Sequence, residues 1–189
     1  MAQKFESTIV SLDQQNKLVD LCEFSKDQKW KLKYRASRDG FNSADFHSKC
    51  DAVENTLTII KTTSGNVFGG YTEKAWSSLH EVRHIDPKSF IFSLINKENR
   101  PFKAQCYESI HVDDGYPRCY RNFPCFGPSF GSDIRILNNS NKNRDSFSEF
   151  EDWYKYPFCG LRLNSSNVIL AGTPYFKTTE IEVFTKSET

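Results

Sequence analysis

The chain has 189 residues, of which 38% are hydrophobic and 26% charged, and its formal net charge is +1. The length suits one globular domain, and the composition excludes a disordered tail or a fibrous repeat. No apolar run approaches the roughly 20 residues of a membrane-spanning helix. A net charge near zero gives no general attraction to nucleic acid or to anionic membranes. We therefore expect a soluble single domain with no nucleic-acid partner and no membrane insertion.

The N-terminus and the cysteines indicate the cellular compartment. The first residues show no apolar stretch behind a basic start, so they do not form a signal peptide. The expected location is therefore cytoplasmic. The six cysteines show neither CxxC spacing nor a structural zinc pattern. In a cytoplasmic protein we expect them to be buried free thiols.

The first third of the chain predicts two helices with a strand between them. Ser11 and Gln14 have the spacing of a capping box at the start of a helix. Apolar and basic residues then alternate, which predicts a half-buried strand with one face in solvent. The alternating residues are Trp30, Leu32 and Tyr34 on one side and Lys31, Lys33 and Arg35 on the other. Ser43 is the predicted N-cap of a second, short helix.

Strands dominate the rest of the chain. A hairpin is predicted that turns at 64–66, and residues 90–95 are apolar on both faces, as in a central strand. Shorter strands are predicted at 134–136, 168–170 and 181–184, and residues 138–148 are predicted to form an exposed loop. The predicted fold is therefore α+β, with two antiparallel β-sheets packed as a sandwich and a few flanking helices.

The string His80-Glu81-Val82-Arg83-His84 matches HExxH. On a helix, His80 and His84 would share one face and bind zinc, while Glu81 would activate water. Pro87, however, ends any helix shortly after His84, and the extended zincin pattern is missing. We interpret the string as a polar connection before the strand at Phe90, with zinc-dependent hydrolysis as the alternative.

Two further patterns suggest chemistry only weakly. Cys50 follows His47 by three positions, but nothing in the sequence orients His47 as a base, so we interpret both as core residues. The glycine-rich strings at 68–71 and 127–131 match no phosphate-binding pattern. We expect their glycines to allow a positive φ or a close approach of backbones. No cofactor is predicted.

Several strings, taken together and in order, are more specific than any of these motifs. They are Tyr34-Arg35-Ala36-Ser37-Arg38-Asp39-Gly40-Phe41, Val67-Phe68-Gly69-Gly70-Tyr71-Thr72, Gly127-Pro128-Ser129-Phe130-Gly131 with Asp133-Ile134-Arg135-Ile136, and Glu180-Ile181-Glu182-Val183-Phe184. Across residues 30–184 the chain resembles the TLDc domain family, which includes the oxidation-resistance proteins. The resemblance implies a two-sheet sandwich without established catalytic residues.

The resemblance also implies a role. Members of the family are linked to resistance against oxidative stress, and several bind the proton-pumping V-ATPase. We therefore expect a non-enzymatic protein-interaction domain whose partner is the V-ATPase catalytic sector. Residues 29–189 would form the TLDc-like domain, with 1–28 as a helical lead-in packed on it. A structural or scaffold role and a redox role for exposed thiols remain as alternatives, and the oligomeric state is open.

Exposed loops of a sandwich carry its binding sites more often than its core does. The loops at 38–43 and 138–148 are therefore the predicted partner-binding regions, with Arg38, Asp39, Asn138 and Asn141 as candidate contacts. Another group of motif residues is assigned to the fold rather than to binding. These residues are Gly40, Gly69, Gly70, Gly127, Gly131, Asp133 and Glu182.

Overall fold

A computed structural model describes residues 5–78, 82–84, 86–106, 120–122, 127–150, 154–157 and 166–187. The helices in these ranges are short and lie mainly in the N-terminal half. They are α1 (Leu12–Leu21), α2 (Ala36–Asp39), α3 (Ser43–Cys50) and α4 (Ser166–Ile169). Within the described part of the chain, no helix is long and apolar enough to cross a membrane.

The strands form two main antiparallel sheets and a small ribbon. The six-stranded sheet has the order β1-β12-β2-β3-β5-β6, the four-stranded sheet the order β11-β10-β9-β8, and the ribbon pairs β4 with β7. The bounds are β1 Trp30–Arg35, β2 Thr56–Thr62, β3 Val67–Thr72, β4 Val82–His84, β5 Phe90–Ile95, β6 Phe102–Gln105, β7 Tyr120–Asn122, β8 Ser129–Phe130, β9 Ile134–Arg135, β10 Ser146–Phe147, β11 Tyr175–Phe176 and β12 Thr178–Lys186. This architecture confirms the predicted sandwich.

The six-stranded sheet is buried on both faces, because a different layer covers each one. The side chains of Phe68, Ile91 and Ile181 face the four-stranded sheet and form the first core with Phe130 and its neighbours. The opposite face forms a second core with the N-terminal segment and α1, in which the largest buried side chains are Phe5, Leu18, Trp30, Phe92 and Phe184. Residues 5–24 are therefore a layer of the fold.

The helix caps match the sequence prediction at α1 and differ at α3. Ser11 caps α1 as predicted, with Gln14 completing the capping box. At α3 the capping box is formed by Asn42 and Asp45, and Ser43 is the first helical residue. The predicted cap was wrong by one position because the Ser43 hydroxyl is used elsewhere, in a hydrogen bond to Asn138.

The strand β1 does not have one solvent-exposed face along its whole length. Its pairing with β12 shifts register between Leu32 and Tyr34, so a bulge interrupts the alternation. Trp30 therefore packs in the second core while Tyr34 packs in the first. Period-two alternation would have placed both rings on the same face of the sheet, so the prediction of one solvent-exposed face was wrong.

Residues 168–170 were predicted to form a strand, and the structure shows a helix there. Val168 and Ile169 end α4, and Leu170 lies in the following turn. The carbonyl of Leu170 accepts a hydrogen bond from the Asn66 side chain at 3.0 Å, which ties this turn to the β2–β3 hairpin. A run of three apolar residues is too short for its period to distinguish strand from helix.

Candidate partner-binding surface

The two predicted binding loops meet in the structure, although Arg38 and Asp39 end α2, Ser43 begins α3, and residues 146–147 of the second loop form β10. Asn138 Oδ1 accepts hydrogen bonds from the backbone N–H of Ser43 at 2.7 Å and from its hydroxyl at 2.9 Å. Beside this contact, the Asn139 N–H donates to the carbonyl of Phe41 at 3.1 Å. The contact joins positions 95 residues apart in sequence. We call residues 38–43 and 138–145 together the loop surface.

The first loop is held in one conformation by a glycine. Gly40 has a φ of +114°, and a Cβ built on it would lie 2.1 Å from an Asp45 carboxylate oxygen. That carboxylate accepts a hydrogen bond from the Asn42 N–H at 2.9 Å, and the Tyr34 hydroxyl donates to the Gly40 carbonyl at 2.7 Å. Both the angle and the space therefore require glycine here.

Arg38 and Asp39 form an ion pair at the start of the loop surface. The Arg38 guanidinium donates to both Asp39 oxygens, at 2.9 and 2.7 Å, and its side chain is half exposed. Asp39 also accepts the backbone N–H of Arg35 at 2.9 Å. The hydrogen bond from Arg38 lowers the pKa of Asp39, and the Arg35 N–H lowers it further. Asp39 is thus fixed from within the fold, whereas Arg38 also faces solvent.

The second loop is anchored from below by buried hydroxyl groups. Ser140 is buried, its hydroxyl lies 2.7 Å from that of Thr178 on β12, and its carbonyl accepts the Thr178 N–H at 2.9 Å. The Ser146 hydroxyl accepts the Leu137 N–H at 3.1 Å. Asn138, Asn141 and their neighbours are therefore presented on a fixed backbone. Such a backbone loses little freedom when a partner binds.

A row of side chains beside the loops was missed by the sequence analysis. On the outer face of the four-stranded sheet, the ring centroids of Phe147 and Tyr175 lie 6.1 Å apart, and the Arg135 guanidinium lies 5.2 Å from the Phe147 ring. Tyr175 is 58% exposed. Each of these strands has only two residues, too few for an alternating pattern to be recognised. We call these three residues the aromatic row.

Most of the motif residues assigned to the fold lie at positions that are tightly packed, fully buried or of positive φ. A Cβ on Gly69 would lie 1.9 Å from the Thr58 carbonyl oxygen, and one on Gly70 would lie 2.6 Å from the Phe130 ring. Gly131 has a positive φ of 61°, and Asp133 is fully buried. Gly127 differs, because a Cβ there would meet Ile136 at an ordinary 3.5 Å.

Glu182 is a fully buried carboxylate with four hydrogen-bond donors. It accepts bonds from the Ser7 hydroxyl, from the Thr8 N–H at 2.9 Å and from the Thr8 hydroxyl at 3.0 Å. The fourth donor is Arg35 Nε, also at 2.9 Å. Multiple donors satisfy a charge that would otherwise be costly to bury. Glu182 therefore attaches the N-terminal segment to the six-stranded sheet.

The HExxH string is only partly described. His80 and Glu81 lie outside the described residues. The final three residues, Val82–His84, form β4 and pair with Tyr120–Asn122. The predicted polar connection thus contains a strand. Two histidines at i and i+4 share a face on a helix, and a strand over 82–84 does not continue such a helix. In the described part of the chain, no group of three metal-ligating side chains comes together.

His47 has an orienting carboxylate that the sequence analysis did not identify. Its Nδ1 lies 2.7 Å from Asp51 Oδ1, one helical turn onward. The other Asp51 oxygen accepts hydrogen bonds from the backbone N–H and the hydroxyl of Ser78. In a catalytic triad the serine bonds to the histidine, whereas here Ser78 bonds to the carboxylate. The cluster ties α3 to the chain after β3.

The described cysteines are free thiols, and Cys22 and Cys50 are buried as predicted, whereas Cys106 is not. Burial raises the pKa of both the Cys22 and the Cys50 thiol, and this is the largest influence on each. A protonated thiol is a poor nucleophile. Cys106 is partly exposed, and the other three cysteines lie outside the described residues.

Comparison with known proteins identifies the family. The family model described as the TLDc domain matches residues 3–187, nearly the whole chain. This match begins ahead of Trp30, where the sequence resemblance starts, and it includes the N-terminal layer and the Glu182 contacts. A search of curated proteins gave no significant match. The family match and the two-sheet fold agree, and the chain belongs to the TLDc domain family.

Proposed function

We propose that this protein is a non-enzymatic interaction domain that binds the V-ATPase catalytic sector through the loop surface and the aromatic row. Oxidative-stress resistance in the cytoplasm would follow from that interaction. One observation carries the proposal: Asn138 joins two exposed loops from distant parts of the chain into one fixed surface. Membership of the TLDc family supports it.

The composition of this surface suits a protein partner. Arginine and tyrosine are enriched among the residues that dominate binding energy at protein interfaces. Here Tyr175, Phe147 and Arg135 lie together on the four-stranded sheet, and the loop surface adds the half-exposed guanidinium of Arg38. The loops contribute exposed amides that can form hydrogen bonds at the rim of the aromatic row.

The buried carboxylates of the described residues support a binding role over a catalytic one. Asp86 accepts hydrogen bonds from the Thr72 hydroxyl at 2.7 Å and from the Glu73 N–H at 2.8 Å. Glu182 accepts hydrogen bonds from Arg35 on β1 and from the N-terminal segment. Each of these carboxylates holds neighbouring elements together. A general acid or base needs access to a substrate proton, and both groups are closed off from solvent.

The test is a binding assay with purified V-ATPase catalytic sector. Tyr175→Ser removes the exposed ring of the aromatic row, and Arg38→Glu reverses the charge at the loop surface. We expect each to weaken binding about tenfold or more, as truncation of a central interface residue does. Leu12→Ser is the matched control, since Leu12 is also exposed but lies on α1, in the N-terminal layer.

Two results would overturn the proposal. One is that the wild-type protein does not bind the catalytic sector. The other is that Leu12→Ser weakens binding as much as Tyr175→Ser does, because the contact would then not depend on the surface defined here. Thermal denaturation of each variant checks that the fold is kept.

A further inference from the structure

A groove lies on the side of the six-stranded sheet opposite the four-stranded sheet. It encloses about 840 Å³ where the end of α1 meets β3, β5 and β6. Three rings form its apolar part: Phe24 lies 5.4 Å from Tyr71, and Tyr71 stacks on Phe90 at the same distance. The volume lies within the range of pockets that hold ligands. Tyr71 and Phe90 belong to the second core, so the groove is separate from the loop surface.

Lysines surround these rings. Lys88, Lys103 and Lys155 line the groove, and the ammonium of Lys186 lies 4.7 Å from the centre of the Tyr71 ring and 5.8 Å from that of Phe24. Lys103 in turn lies 4.7 Å from the Phe90 ring. Tyr71 and Phe90 are only 3% and 4% exposed, so the partly buried Phe24 is the ring of this group that an added apolar side chain can contact.

Carboxylates neutralise only part of this charge. Lys103 bonds to Glu23 at 2.6 Å, and Lys88 bonds to Glu73 at 3.2 Å. Burial lowers the pKa of Lys186, the nearby Glu73 carboxylate opposes this effect, and the positive charge of Lys88 adds to it. Among the described residues around the groove, lysines outnumber carboxylates by two. An added negative charge would therefore be stabilised here.

From this geometry we propose that the groove binds an acidic peptide segment of a partner protein, with an aromatic side chain against the partly exposed ring of Phe24 and its carboxylates on Lys88 and Lys155. The lysines give the site its preference for acidic sequences, and the ring of Phe24 gives it an apolar anchor. This second binding site does not depend on the loop surface or on the partner proposed for it.

The probe is a fluorescein-labelled peptide in which two phenylalanines stand among glutamates, followed by fluorescence polarisation. The test variant is Lys88→Glu with Lys155→Glu, since both side chains are exposed. The control is Lys49→Glu with Lys97→Glu, which changes the net charge equally at two exposed lysines outside both the groove and the loop surface. We expect the test variant to weaken binding about tenfold or more and the control to change it less than about twofold.

A second comparison uses the unaltered protein and so does not depend on the folding of a variant. Replacing the peptide's phenylalanines by serine, or its glutamates by lysine, should abolish binding, and added salt should weaken it. The proposal fails if the acidic peptide does not bind, if the control variant weakens binding as much as the test variant, or if free fluorescein binds equally well.

Discussion

Arg35 and Glu182 lie opposite each other on β1 and β12, and their ion pair also holds the N-terminal segment. Their backbones are register partners, and Arg35 Nε lies 2.9 Å from Glu182 Oε1. The same guanidinium donates to the Glu6 carbonyl, and the same carboxylate accepts both donors of Thr8. One side-chain pair therefore connects three parts of the chain.

Replacing Glu182 by glutamine should destabilise the protein and loosen its N-terminus. The amide keeps the shape but lacks the charge that Arg35 and the Ser7 and Thr8 donors require. We expect a loss of about 2–3 kcal/mol in the free energy of unfolding, measured by urea denaturation. Hydrogen exchange should rise at residues 6–10. The exposed Glu149→Gln serves as control, and an unchanged exchange rate at 6–10 in Glu182→Gln would contradict the role given to this carboxylate.

Gly69→Ala should be far more costly than Gly127→Ala. A Cβ at position 69 would overlap the Thr58 carbonyl on the neighbouring strand, whereas one at 127 meets only the side chain of Ile136 at contact distance. We expect losses of about 3 kcal/mol and less than about 1 kcal/mol respectively. Chemical denaturation of both variants measures the difference, and equal losses would show that β2 and β3 can separate to accept the methyl group.

Asn138→Ala should affect both stability and partner binding. It removes the acceptor for two donors of the buried Ser43, at a cost of about 2 kcal/mol. Because the loops would then be joined by the Asn139–Phe41 backbone hydrogen bond without the Asn138 side chain, binding of the V-ATPase catalytic sector should also weaken. Asn141→Ala is the control for stability, with a change within about 0.5 kcal/mol. A stable Asn138→Ala variant would mean that this side chain contributes little to joining the loops.

The Arg38–Asp39 pair should contribute a pH-dependent part of the stability. The pKa of Asp39 is lower in the folded state than in the unfolded state. The ion pair therefore contributes fully to the free energy of unfolding above the unfolded-state pKa of about 3.9. This contribution is lost as the pH falls through the lower folded-state pKa. The stability difference between the wild type and Asp39→Asn should be about 1 kcal/mol at neutral pH. This stability difference should disappear below about pH 4. Urea denaturation across this pH range, with the exposed Asp145→Asn as reference, measures it.

The described thiols should differ in reactivity. Cys22 and Cys50 are buried, with pKa values raised by burial, so iodoacetamide should leave them unmodified in the native protein. Cys106 is partly exposed and should be alkylated faster. Peptide mapping by mass spectrometry reports each site, and denatured protein provides full labelling. Rapid native labelling of Cys50 would contradict its position in the first core and revive a redox role.

Local signals in the sequence predicted the elements of this fold well where they did not depend on distant contacts. The capping box at Ser11 and Gln14 and the hairpin turning at 64–66 need only neighbouring residues, and both are present. The bulge in β1 depends on how β12 pairs with it. The spacing of Trp30 and Tyr34 alone therefore could not show that the two rings pack on opposite faces of the sheet.

The candidate surface was predictable only in part, for the same reason. Loop composition indicated residues 38–43 and 138–148, but the contact between Ser43 and Asn138 joins distant positions and has no local signature. Tyr175 was missed because its exposure results from the position of β11 at a sheet edge. The Asp51 partner of His47 could have been found from sequence, because the two residues stand one helical turn apart.

The position of β12 in the six-stranded sheet has a consequence for how the protein folds. This strand lies between β1 and β2, and its contact with β1 joins residues 147 positions apart. Contacts of such separation require closure of a long loop before they contribute, so folding should be slow. While a ribosome has not yet delivered residues 178–186, β1 has no neighbour in this sheet and β2 has an open edge. Nascent chains of this protein are therefore exposed to edge-to-edge aggregation until the last strand is in place.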